Sequence, residues 1–77
     1  MRIVAEITHL PCRITLFAWN NKYIAKLEYG PLEQTYKIAE MDVTSAQEVQ
    51  DVITSEKFVT NTMKRFEEMG TDFFSAF

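Results

Sequence analysis

Up to about residue 43, apolar and polar side chains alternate; from residue 44 onward, apolar side chains recur every three to four positions. A period of 2 marks half-buried strands and a period of 3.6 amphipathic helices. The alternation predicts strands over residues 2–8, 13–19, 22–29 and 33–39. His9-Leu10-Pro11-Cys12 separates the first two, with Pro11 as the interrupter. Asn20-Asn21 predicts a two-residue hairpin, because Asn tolerates the positive φ of a type I′ turn. Gly30-Pro31 punctuates the third connection. Together these predict a four-stranded antiparallel meander.

Hairpin loops set registers, and registers sort side chains onto faces. Around Asn20-Asn21, Trp19 faces Lys22, Phe17 faces Ile24, Thr15 faces Lys26 and Arg13 faces Glu28. With residues 9–12 as a loop, Val4 faces Phe17 and Arg2 faces Trp19, while Ile7 meets Ile14 and Ala5 meets Leu16. One face then carries Ile3, Ala5, Ile7, Ile14, Leu16, Ala18, Tyr23, Ala25, Leu27, Tyr29, Tyr36 and Ile38, almost all apolar. The third hairpin, in its simplest register, sets Glu28 against Glu33, so a longer loop or a bulge is an alternative there.

The helical part supplies the cover for the apolar face. Thr44-Ser45 precede Gln47 and Glu48, so either hydroxyl can begin a capping box. A helix over 45–54 gathers Ala46, Val49, Val52 and Ile53 within an arc of about 120°. Ser55 caps a second helix, on which Phe58, Val59, Thr62, Met63, Phe66, Met69, Phe73, Phe74 and Phe77 form one stripe. The phase carries through Gly70, so a single helix from about 56 to the end is predicted, with a stop at Gly70 and a short terminal turn as the alternative. Phe73, Phe74 and Phe77 could form a docking motif, but their phasing favours packing in the core. That stripe is wider than one sheet face needs, which leaves width for the short helix or a second subunit. The fold class is α+β, ββββαα, in a single domain: a meander over 1–43 and two helices over 44–77.

Composition changes this picture little. The balance of 47% apolar and 25% charged residues is that of an ordinary globular domain. A single cysteine, Cys12, allows no internal disulfide and suits a reducing cytoplasm. No apolar run is long enough to cross a membrane, and Glu6 interrupts any signal-peptide pattern at the start.

Candidate chemistry is sparse. His9 and Cys12 could offer two zinc ligands or a thiol–imidazole pair, but the chain has no other His or Cys, and no orienting group is evident. Glu67-Glu68 and Glu40…Asp42 read as solvated acids, and the two glycines form no phosphate loop. No catalytic, cofactor or metal residue is assigned, and the chain reads as a non-enzyme without cofactor.

The second sheet face carries the one signal that points to a partner. There Val4, Phe17, Trp19 and Ile24 cluster among Arg2, Arg13, Lys22, Lys26 and Lys37, against Glu6, Glu28 and Glu33. This face is about +2 in a chain of net charge −3. Three readings compete. Basic stems could mask the aromatics, with Arg2 stacked on Trp19. The face could be a homodimer or protein-partner interface, built on Val4, Phe17, Trp19 and Ile24 with Arg2, Lys22 and Lys26 at the rim. It could also be a platform for single-stranded nucleic acid, with bases stacked on Phe17 and Trp19. The leading expectation is a small interaction module that self-associates or binds a protein; nucleic acid is the alternative.

The segments Met1-Arg2-Ile3-Val4-Ala5-Glu6-Ile7, Ile14-Thr15-Leu16-Phe17-Ala18-Trp19-Asn20-Asn21-Lys22-Tyr23 and Leu32-Glu33-Gln34-Thr35-Tyr36-Lys37-Ile38 resemble a family of short bacterial proteins of unassigned function. The resemblance spans the chain but rests on strand segments. It implies a bacterial, cytoplasmic setting and no activity or site residue.

Overall fold

The hairpins close where residues tolerate a positive φ. A computed structural model describes all 77 residues. Strands β1 (Arg2–Ile7), β2 (Arg13–Trp19), β3 (Lys22–Tyr29) and β4 (Leu32–Ala39) form one antiparallel sheet in the order β1-β2-β3-β4. Asn20 and Asn21 both adopt the left-handed region, at φ 56° and 61°, as a type I′ turn requires. Gly30 takes φ 60° and Pro31 follows it, a pairing suited to a type II′ turn. The β2–β3 register is the predicted one throughout, from Arg13 opposite Glu28 to Trp19 opposite Lys22.

The third hairpin needs neither a longer loop nor a bulge. Tyr29 pairs with Leu32, and Glu28 sits directly opposite Glu33. The like charges are offset locally. Lys26 Nζ lies 3.5 Å from Glu33 Oε1, and the Thr35 hydroxyl donates to Glu33 Oε2 at 3.1 Å.

The first hairpin departs from the prediction. Ile7 pairs with Ile14 and Ala5 with Leu16 as expected, but Ile3 then pairs with Phe17 and Arg2 with Ala18. A β-bulge at Val4 takes up one extra residue and reverses the parity of everything before it. Val4 therefore packs against the buried cluster instead of facing Phe17. Ile3 takes its place on the open face, and Arg2 no longer lies opposite Trp19. Edge strands are where such bulges concentrate, because only one neighbour constrains their pairing.

Helices α1 (Ala46–Ile53) and α2 (Glu56–Phe74) follow a single 3₁₀ turn, Glu40–Asp42. Both pack on the apolar face. Ile7, Cys12, Ile14, Leu16, Ala25 and Leu27 from the sheet side meet Val49 and Ile53 of α1 and Val59 and Phe66 of α2 in one buried cluster. Along α2, Phe58 stacks edge-on against Tyr36, the Thr62 carbonyl accepts from Gln34, and Gly70 lies by Leu32. The helix thus runs antiparallel to β4.

At Leu32 the sheet ends in the Gly30-Pro31 turn, but α2 continues. Residues 71–77 overhang the sheet and are all exposed, giving the molecule its long dimension of 42 Å against 24 and 20 Å. The core placement expected for Phe73, Phe74 and Phe77 is corrected by this overhang: the stripe persists in phase, but nothing lies beneath it. No helix is long and apolar enough to cross a membrane.

Candidate interaction surfaces

The open sheet face is left bare because α1 and α2 both occupy the other side. Its apolar residues fall into two groups. Ile24 lies in the sheet interior between Phe17 and Lys37 and is only 8% exposed. It forms a floor, with Phe17 half-buried beside it. Trp19 at the end of β2 and Ile3 on the bulged edge strand stand out from that floor, 52% and 56% exposed. They are diagonal neighbours on one face, since Ile3 pairs with Phe17 two residues from Trp19.

The charges around them are largely spent on each other. Arg13 Nη2 donates to Glu6 Oε1 at 3.1 Å, and Lys26 pairs with Glu33. With Arg2 aligned to Ala18 across the bulge, Lys22 and Lys37 are the cations left near the aromatic patch. The stacking of Arg2 on Trp19 is not present; the one cation–π contact joins Arg65 to Phe58, 5.9 Å from the ring centre on the helical side.

A second apolar surface lies on the helical side. At the end of the sheet away from the overhang, Tyr23, Tyr36 and Ile38 of the sheet, Val43, Val52 of α1 and Phe58 of α2 line a groove of about 430 Å³. Lys37, on edge strand β4, and Asp42 and Glu48 also line it. Val52 belongs to the expected apolar arc of α1, yet it is turned to solvent at this groove. Sequence reasoning missed the groove as a site. The available signal was the excess width of the helical stripe.

The third surface is the overhang. Phe73, Phe74 and Phe77 are 56%, 47% and 93% exposed. Their rings pack edge-on with one another, with centroids 5.1 and 5.3 Å apart, so they form a ready-made aromatic knob.

The remaining candidates come apart. Cys12 is buried, and desolvation raises its thiol pKa, opposite to what a nucleophile needs. His9 is exposed. Glu67, Glu68, Glu40 and Asp42 are solvent-facing, and no three His, Cys, Asp or Glu side chains converge.

The chain matches no protein-family model, no curated protein and no solved structure.

Proposed function

We propose that this chain is a non-catalytic interaction module, bacterial and cytoplasmic in setting, that works by burying apolar surface against another protein. The observation that carries the reading is the pair Trp19 and Ile3, two large side chains more than half exposed on a face that no element of the fold covers. Water-facing apolar clusters of this kind on a small domain are characteristic of partner surfaces. Trp19 and Phe17 are the proposed anchors, with Ile3 replacing Val4 beside them, Lys22 at the rim and Lys26 there too but paired with Glu33.

The nucleic-acid alternative is weakened by the paired state of Arg13 and Lys26 and by the displacement of Arg2, which leave few free cations to track phosphates. The test is a titration with single-stranded DNA at low salt, followed by Trp19 emission. The expected result is no change. Quenching that fades steeply as salt rises would replace the protein-partner reading with the alternative.

A further inference from the structure

We infer that the helical side carries a self-association site, in which the aromatic knob of α2 from one chain seats in the groove of a second copy, and the exchange is reciprocal. The inference rests on reading the chain as an interaction module, but it places self-association opposite the open sheet face. It starts from two apolar features at opposite ends of one helix. Phe58 lines the groove at the start of α2, and Phe73, Phe74 and Phe77 form the knob at its end. The continuous helix between Phe58 and Phe73 spans about 22 Å at 1.5 Å per residue. A chain's own knob therefore cannot fold back into its own groove; a second copy's can.

Symmetry closes the arrangement. A twofold axis perpendicular to α2 and passing beside it sets two helices antiparallel, so the knob end of each lies over the groove end of the other. Both contacts then form together in an isologous pair. The recognition mode is a helix end in an apolar groove, with Phe73 and Phe74 on the last turn of α2 and Phe77 just beyond it.

The area also favours a reciprocal pair. The exposed parts of the three Phe residues amount to roughly two whole aromatic side chains, or roughly 300–500 Å². One knob in one groove would bury about twice that, below the size of a specific interface. Two such contacts bury at most roughly 1,200–2,000 Å², so only the reciprocal pair can reach the standard range.

The experiment is sedimentation equilibrium of the full chain over micromolar to millimolar concentrations, alongside Phe73→Ser/Phe77→Ser, Val52→Glu and Trp19→Ser. All four substituted positions are exposed, and circular dichroism checks each fold. The expected result is a dimer of twice the 9.0 kDa chain mass for wild type and Trp19→Ser, with loss of the dimer in both the knob and the groove variants. A wild-type monomer at every concentration overturns the inference, as does a dimer that survives either the knob or the groove variant. If Trp19→Ser alone dissolves the dimer, the exchange is wrong and the open sheet face is the seam, so the interaction-module reading survives without it.

Discussion

Gln34 is the one amide on the inward side of β4, and both of its ends are held. Its Nε2 donates to the Thr62 carbonyl at 3.0 Å, and its Oε1 accepts from Arg65 Nε at 2.9 Å and from the Tyr36 hydroxyl at 3.2 Å. Arg65 also donates to Thr62 Oγ1 at 3.1 Å. No buried side-chain nitrogen or oxygen is left without a partner. Gln34→Leu keeps the volume but strands these groups, so the urea midpoint should fall by the equivalent of about 1–2 kcal/mol. An unchanged midpoint would show that the network adds nothing to stability. Gly70 makes the opposite case. Its φ is not in the left-handed region, and an added Cβ would lie 3.7 Å from Leu32 Cδ1, an ordinary contact. Gly70→Ala should therefore stabilise α2 by up to about 1 kcal/mol, as a higher midpoint. A loss of stability would mean that the close approach to Leu32 is tighter than that contact allows. Neither role was legible in the sequence. Alternation puts Gln34 beneath the helix, but only the packed structure brings Arg65 and Thr62 to it. Gly70 was expected on the inner side of α2, yet its spacing from Leu32 is a tertiary distance.

At the scale of elements, the hydroxyl residues before each helix set where it begins. Ser45 accepts from the Glu48 amide at 3.3 Å and Ser55 from the Phe58 amide at 3.4 Å. Glu48 answers in the other direction. Its carboxylate accepts from both the hydroxyl and the amide of Thr44, one residue before the usual capping-box partner. These bonds, the hydroxyl first, hold its pKa below the ordinary value of 4.5. A carboxyl whose pKa is lowered by folding stabilises the folded state above its unfolded pKa, and that contribution fades as pH falls through the folded one. Glu48→Gln should therefore lower stability at neutral pH, where the contribution is fully present, and flatten the acid side of the curve below the ordinary 4.5, where the two proteins converge. An identical acid slope in urea unfolding of the two proteins would remove this role. Strand boundaries and helix starts were readable because turn residues and caps act locally; the end of α2 at Phe74, short of the predicted run to the end of the chain, was not. The 3₁₀ turn at Glu40–Asp42 was not, since its residues carry no capping or turn pattern of that kind.

For the whole molecule, the two faces are physically distinct. The open face is a sheet surface whose charges are partly paired, and the helical side ends in a groove at one end and an aromatic knob at the other. The single Trp19 reports on only one of them. Dilution through a knob-and-groove dimer should leave Trp19 emission and its quenching by acrylamide unchanged while the mass halves. An emission maximum that shifts together with the mass would place the seam on the open sheet face.

Local pattern alone determined that this chain forms four strands and two helices, which residues turn the second and third hairpins, and which side of the sheet the helices cover. Each of these depends on neighbours a few residues apart, and side-chain period and φ tolerance are properties of the sequence itself. The tertiary structure decided the rest. At Ile3-Val4 both residues are apolar, so either parity reads as a strand; only pairing with β2 showed that Val4 bulges toward the core and Ile3 faces out. The apolar stripe that begins on α2 keeps its spacing in the sequence to Phe77, three residues past the end of the helix, but periodicity cannot tell where the surface beneath it ends. The sheet stops at Leu32, and the same spacing that buries Phe66 leaves Phe73, Phe74 and Phe77 in water, because burial requires a partner surface as well as a phase.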